Sequence, residues 1–186
     1  MDTSTGIVPT ASSETGAAQT AHADVPSVVA PVPAIAFGAL ALGLTFDWFH
    51  AFNILGRVPA VVRNSAALVL FALGAWYILR ATVIFRRVDT PLQPWRPTRA
   101  IAEDDIYACT RNPMVQGVVI LVLGFAMLLG SDWTVLFLLP AGMVLHYGAV
   151  LREESYLEGR FGDAYRTYKA AVPRYGWPFA GFSQKP

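Results

Sequence analysis

The chain has a single cysteine, Cys109. One thiol cannot form an intramolecular disulfide, and it excludes a zinc site built from several cysteines. The three histidines, His22, His50 and His146, lack the spacing of paired metal ligands. We therefore expect neither a disulfide scaffold nor a metal centre.

Charge is also scarce. Charged residues make up 15% of the 186 residues and the net charge is +1, whereas about 25% of a soluble domain is charged. So small a net charge provides no basic field for nucleic acid. Because hydrophobic residues make up 54% of the chain, the composition predicts an integral membrane protein with several spans.

Residues 1–30 contain no Lys or Arg and are rich in Ala, Ser, Thr, Gly and Pro. Such a segment buries too little apolar surface to offset the entropy of ordering it, so we expect disorder. Because it lacks a positively charged start and an apolar core, we do not expect a signal peptide. Residues 31–186 are expected to form one membrane domain, with its catalytic part at about 86–178.

Four apolar segments follow, at about Val32–Leu55, Pro59–Phe85, Met114–Gly130 and Trp133–Leu151. A helix that crosses a hydrocarbon core of about 30 Å needs about 20 residues. The segments therefore predict an all-α polytopic bundle of about four transmembrane helices, the last two joined by a tight turn. Glycines in the third segment favour close helix packing, either within the chain or in a homodimer.

Positive charge distinguishes the two membrane faces. Only Arg57 and Arg63 flank the turn between the first two segments. The remaining Lys and Arg residues lie near the end of the second segment, in the loop up to the start of the third, or after the fourth. The positive-inside rule then places both termini and the 86–112 loop in the cytoplasm.

The pattern changes after Leu151. Apolar and aromatic residues recur there at spacings of three and four, with charged residues between them. This periodicity predicts an amphipathic helix that continues from the fourth segment, breaks near Gly159–Gly162 and lies along the cytoplasmic interface.

Asp47, His50 and Asn53 recur at three-residue spacing in the first segment. Ionisable groups within a membrane indicate function by default, but the topology places these residues in the outer half, away from the charged clusters. We therefore favour hydrogen bonds between helices, for example to Arg63, over a role in a substrate path.

Two adjacent carboxylates, Glu153 and Glu154, follow the fourth segment. Adjacent helical residues point about 100° apart, so one can face a pocket while the other faces a loop or headgroups. His146 lies two helical turns before Glu153, so we expect these two on one face. Carboxylates are disfavoured at a helix C-terminus, which favours cationic partners such as Arg111 or Arg152. The alternative is that both simply face water.

Arg111, Asn112 and Pro113 precede the third segment. Pro suits the first position of a helix, and Asn112 can act as its N-cap. The simplest interpretation is a capped helix. A helix N-terminus also binds anionic groups, to which Arg111 could add bidentate contacts.

An ordered set of residues resembles the isoprenylcysteine carboxyl methyltransferase / phospholipid methyltransferase superfamily, whose members are integral-membrane enzymes that use S-adenosylmethionine. The set comprises Arg111-Asn112-Pro113-Met114, the Glu pair, Phe161-Gly162-x-x-Tyr165-x-x-Tyr168 and Val172-Pro173-Arg174, and the likeness covers about residues 107–178. It implies a helical bundle without a Rossmann domain, a cytoplasmic cofactor pocket and a lipid or other lipophilic substrate that enters from the bilayer.

The resemblance also implies roles for individual residues. Arg111 would orient the substrate or the cofactor carboxylate, and Glu153 would hold the cofactor amino group or act as a base. It assigns catalysis to Arg111 and Glu153, and cofactor binding to Tyr107, Asn112, Pro113, Met114, Gly117, His146, Glu153, Glu154, Tyr165, Tyr168 and Arg174.

The chain departs from the family pattern, which usually reads Arg-His-Pro-x-Tyr-x-Gly. Asn112 replaces the His and cannot titrate, Val115 replaces the Tyr, and Gln116 precedes the retained Gly117. The Arg expected one turn before the Glu pair is absent, which disfavours an isoprenylcysteine substrate. Two alternatives remain: an NADPH-dependent reductase of the sterol-reductase type, and a non-catalytic adaptor with a lipid-binding tail.

Overall fold

The structure is a computed structural model that describes residues 30–50, 52–87 and 100–176. The predicted disordered segment, except for residue 30, and residues 88–99 of the predicted 86–112 loop lie outside the described residues. Every regular element in the described part is helical. The elements are α1 Val32–Phe49, a 3₁₀ turn Leu55–Arg57, α2 Ala60–Arg87, a 3₁₀ turn Asp105–Ala108, α3 Pro113–Leu129, α4 Asp132–Leu145, a π-helical turn His146–Val150, α5 Leu151–Phe161 and α6 Asp163–Ala171.

Three helices are long and apolar enough to cross a membrane: α1, α2 and the continuous run Asp132–Phe161. α3 is a shorter apolar helix of 17 residues. These elements confirm the predicted all-α membrane bundle. α2 has 28 residues, which corresponds to about 42 Å, so it is longer than a hydrocarbon core of about 30 Å.

α1 ends earlier than predicted, at Phe49 rather than near Leu55. The chain leaves the helix at His50, whose φ of −148° is not helical. Asn53 then adopts a left-handed φ of 57°, and the 3₁₀ turn follows. The carboxylate of Asp132 accepts hydrogen bonds from the backbone amides of Ile54 (2.8 Å) and Leu55 (2.9 Å). The start of α4 thereby holds this turn in place.

Two helices pack at glycines. A Cβ added to Gly117 would lie 2.9 Å from the carbonyl oxygen of Gly74, and one added to Gly124 would lie 2.9 Å from the Phe71 ring. The backbones of α2 and α3 can approach this closely only because these positions lack side chains. The predicted small-residue surface of α3 thus packs within the chain.

Polar side chains join α1 to the start of α4. The Ser131 hydroxyl donates to the carboxylate of Asp47 and accepts from the backbone amide of Thr134 at 3.1 Å, which caps α4. The prediction of hydrogen bonding between helices is therefore confirmed for Asp47, but its partner is Ser131 and not Arg63. Arg63 instead donates to the carbonyl of Leu55 at 3.5 Å.

The helix that begins at Asp132 contains a π-helical turn before the charged residues. The backbone amide of Leu151 donates to the carbonyl of His146, five residues earlier. Each π turn accommodates one extra residue, so α5 is rotated relative to a continuous α-helix. The predicted break in the amphipathic tail is confirmed at Gly162, whose φ is 57°, and α6 follows.

Candidate functional site

The segment 172–176, called here the strap, runs beside the turn that precedes α3. The backbone amide of Arg111 donates to the carbonyl of Pro173 at 3.0 Å. The carbonyl of Arg174 accepts from the hydroxyl of Thr110 at 3.0 Å and from Nδ2 of Asn112 at 3.4 Å. The turn and the strap are therefore held together through main-chain carbonyls.

The end of the strap inserts between α2 and α3. The carbonyl of Gly176 accepts from the hydroxyl of Tyr77 at 3.0 Å and from Nε2 of Gln116 at 3.2 Å. A Cβ on Gly176 would lie 2.3 Å from the carbonyl oxygen of Cys109. Only glycine fits at this position without a shift of the backbone.

An ionic cluster joins the strap, α5 and the turn before α3. Nε and Nη2 of Arg174 donate to the two carboxylate oxygens of Glu154, each at 2.8 Å. Nη1 of Arg111 lies 2.9 Å from Oε1 of Glu154. The side chains of Arg111 and Glu154 are only 8% and 5% exposed, so most of the cluster is removed from water.

The Arg111 guanidinium retains unused hydrogen-bonding capacity. Its Nε and Nη1 atoms are buried and have no hydrogen-bond acceptor in the described part of the chain. The close approach to Glu154 is an ion pair whose N–H bonds are not aligned with the carboxylate oxygen. Buried donors are normally satisfied, and of these two atoms only Nε lacks a carboxylate within ion-pair distance in the described residues.

Two tyrosines of α6 border the cluster. The pKa of Tyr165 is raised to about 12, mainly by burial and then by the nearby carboxylate of Glu154. The pKa of Tyr168 is also raised, mainly by burial, and its hydroxyl donates to the carbonyl of Tyr107 at 2.8 Å. Both phenols therefore remain neutral at physiological pH.

Glu153 is separate from this cluster. It is half-buried, and within the described residues it has no hydrogen bond or ion pair. Its charge is one cause, after burial, of the raised pKa of Tyr107, which places the two side chains near each other. The structure thus pairs Arg111 with Glu154. Of the two adjacent carboxylates, Glu153 is the one without a cationic partner in the described regions.

The remaining predicted residues lie around these groups. Nδ1 of His146 is 2.9 Å from the hydroxyl of Tyr175 in the strap, and the π-helical turn removes the simple two-turn relation between His146 and Glu153. Asn112 occupies the N-cap position of α3 but its side chain does not cap the helix, because its Nδ2 is directed to the strap. The prediction of Asn112 as a side-chain cap is therefore wrong.

Three predicted residues lie at the start of α3. Pro113 is fully buried, Met114 packs against the cluster that contains Tyr77 and Tyr107, and Gly117 contacts α2. Their assignment to cofactor binding stays a prediction. Sequence reasoning did not identify Thr110, Tyr77 or Gln116 as strap contacts, because their acceptors are main-chain carbonyls.

An open pocket of about 330 Å³ lies between α5 and α6. Both carboxylates and cations line it, so it is polar and of mixed charge. Its wall includes Glu154 and Arg174, which connects it to the ionic cluster. The lining residues are Leu151, Glu154, Ser155, Glu158, Gly159, Arg166, Lys169 and Arg174. No group of His, Cys, Asp and Glu side chains suited to a metal ion occurs in the described regions.

Comparison with known proteins identifies relatives of the chain. The profile of the phospholipid methyltransferase family matches residues 62–164. An uncharacterized protein of Haemophilus influenzae is 34% identical over 62 residues, which cover 33% of this chain and 98% of that protein. No solved structure matches.

Proposed function

Because the chain belongs to the phospholipid methyltransferase family, we propose that it transfers a methyl group from S-adenosylmethionine to a lipophilic or amphiphilic acceptor. The family and the apolar spans make it an integral membrane protein of a methyltransferase family. The cofactor, the acceptor class and the site residues below are parts of the proposal.

The observation that carries the proposal is the buried Arg111 guanidinium. Its Nε has no acceptor in the described part of the chain, and its Nη1 lies beside Glu154 without an aligned hydrogen bond. A planar guanidinium matches a carboxylate, and charge-assisted hydrogen bonds of this kind are among the stronger ones. S-adenosylmethionine carries a carboxylate and an amino group at one end. Arg111 would hold the carboxylate, and the unpaired Glu153 would hold the amino group, so the residues fit the cofactor.

Glu153 has a second role open to it. When bound, S-adenosylmethionine supplies an electrophilic methyl group on a sulfonium. The half-buried carboxylate of Glu153, which has no partner in the described residues, could take a proton from the substrate that receives the methyl group. Asn112 cannot do so because its side chain does not titrate. Glu154 is less suited to that role because it accepts from Arg174 and pairs with Arg111.

Aromatic side chains would cover the adenosine. Tyr165 and Tyr168 lie on one face of α6, with ring centroids 6.0 Å apart, and both remain neutral. They exclude water from the cluster and offer flat apolar surfaces. We attribute most of the rate to positioning and desolvation and not to covalent catalysis.

The charged end of the bundle is proposed to face the cytoplasm. Lys and Arg residues are concentrated at this end, whereas only Arg57 and Arg63 flank the first turn. By the positive-inside rule the site then faces the cytoplasm. A water-soluble cofactor would reach it from that side, and a lipid acceptor would reach it from the bilayer.

Calorimetry with S-adenosylhomocysteine on the detergent-purified chain tests the proposal. We expect saturable binding, weakened about 10- to 100-fold by Arg111→Lys, which keeps the charge but loses the planar donors. Arg57→Lys, at the opposite end of the bundle, is the matched control and should bind as wild type. Absence of binding to folded wild-type protein would contradict the proposal, and NADPH would be the next ligand to test.

A further inference from the structure

The strap adds polar contacts to the elements at the charged end of the bundle. Its carbonyls bind the turn before α3, α3 itself and α2, while the Arg174 side chain binds Glu154 of α5. Tyr175 adds a contact to His146 in the π-helical turn at 2.9 Å. The position of Arg174, and through it that of Glu154, therefore depends on how firmly the strap is held.

Two donors inside the bundle hold the end of the strap. Tyr77 is 1% exposed and lies ten residues before the end of α2, a distance of about 15 Å along the helix. Gln116 lies on the first turn of α3, and Oε1 of its side chain is 2.5 Å from the hydroxyl of Thr110. Both side chains therefore direct their hydrogen-bond donors from membrane helices to one carbonyl, that of Gly176.

The packing of α2 against α3 does not itself require both donors to bind the same carbonyl. A polar amide and a phenol within apolar helices must find partners, since an unsatisfied buried group is costly. Both find theirs in the strap and not in a neighbouring helix. Gly176 adds a steric condition, because a Cβ at this position would lie 2.3 Å from the carbonyl oxygen of Cys109.

We propose that Tyr77 and Gln116 are positioning residues, which fix the strap so that Arg174 orients Glu154 beside Arg111. They need not touch the cofactor or the acceptor themselves. This inference rests on the proposed function for its catalytic consequence, whereas its structural part can be measured without any ligand.

Trypsin reports directly on the strap, because Arg174 is a cleavage site within it. Cleavage requires the segment to open, and its rate tracks the open population when closing is fast. Tyr77→Phe removes one hydrogen bond and keeps the ring. We expect Tyr77→Phe and Gln116→Leu each to raise cleavage after Arg174 about fivefold, and the double variant about twentyfold. Mass spectrometry of the intact cleavage products identifies the bond that was cleaved.

Two controls separate strap release from general unfolding. Thr82→Val removes a hydroxyl from α2 whose acceptor, the carbonyl of Ile78 at 2.8 Å, is within the same helix, so cleavage should equal that of wild type. Cleavage after Arg166 and Lys169 in α6 should not change in any variant. Unchanged cleavage after Arg174, or a parallel rise at all three sites, would overturn the proposal.

A ligand-dependent measurement distinguishes positioning from a purely structural role. If the cofactor site requires the closed strap, S-adenosylhomocysteine at tenfold its Kd should slow cleavage after Arg174 about tenfold, and leave α6 unaffected. Binding without this protection would overturn the positioning role. Failure of wild type to bind S-adenosylhomocysteine would instead refute the proposed function, and the ligand-free cleavage rates would still test the strap.

Discussion

Arg174 meets Glu154 with two parallel hydrogen bonds, Nε to Oε1 and Nη2 to Oε2, each 2.8 Å long. This bidentate geometry fixes both the position and the orientation of the carboxylate. Arg111 approaches the same carboxylate at 2.9 Å. One carboxylate thus balances two guanidinium groups, and the cluster keeps a net positive charge that suits a bound anion.

Glu154→Gln should destabilise the protein. Removing one member of a buried ion pair leaves charge uncompensated, which costs about 3–5 kcal/mol. We expect a marked fall in thermal stability in detergent. Glu158→Gln is the matched control, because Glu158 pairs with Lys169 at 2.9 Å on a more exposed surface, where such pairs contribute about 0–1 kcal/mol. Equal effects of the two variants would contradict the description of the cluster.

Glu153→Gln should separate function from stability. Since Glu153 has no hydrogen bond or ion pair in the described part of the chain, its neutral isostere should unfold at nearly the wild-type temperature. Binding of S-adenosylhomocysteine, or turnover, should be lost. Calorimetry and thermal unfolding on one preparation check both statements. Wild-type activity in this variant at normal expression would refute the role of Glu153.

Tyr165 should make stability depend on alkaline pH. Its folded pKa, about 12, is above its usual value of 10, so folding favours the neutral phenol. The associated stabilisation is complete below pH 10 and is lost as the pH rises through 12. It is on the order of 1–3 kcal/mol. Tyr165→Phe should show a smaller loss of stability over that interval, measured by thermal unfolding at stepped pH. Parallel curves for the two proteins would contradict this.

Gly117→Ala should weaken the contact between α2 and α3. The added methyl group would lie 2.8 Å from Cγ1 of Ile78 and 2.9 Å from the carbonyl of Gly74, and overpacking of this kind costs about 1–3 kcal/mol. Gly142→Ala is the control, since no atom lies within 4 Å of its added Cβ and alanine favours a helix. Thermal unfolding should rank the two variants in that order, and the reverse order would refute the close packing.

Hydrophobic length and amphipathic periodicity were sufficient to predict the helices. The break at Gly162 followed from its composition and the change of pattern. Pairing a Glu with Arg111 was also foreseen, because carboxylates at a helix end require cations. The sequence did not predict which of the two Glu residues would pair with Arg111. The π-helical turn at 146–150 adds one residue to the helix, and sequence periodicity does not reveal such a turn.

The strap contacts could not be predicted from the sequence for a different reason. Main-chain carbonyls accept the hydrogen bonds of Tyr77, Asn112 and Gln116, and every residue carries such a carbonyl. Side-chain identity therefore cannot reveal the partner. The same contacts explain one departure from the family pattern: Asn112 uses its amide donor to bind the strap, as does Gln116 at a position that the pattern leaves open.

The hydrogen bond between Tyr77 and Gly176 joins residues 99 positions apart, and Thr110 and Arg174 are 64 positions apart. Helices form from local contacts, whereas contacts of such long range must await chain closure. We therefore expect the helices to insert and pair first and the charged end to assemble last. A chain halted before Pro173 would be helical and inserted, but its ionic cluster would lack Arg174, so docking of the strap is the step that completes the cluster.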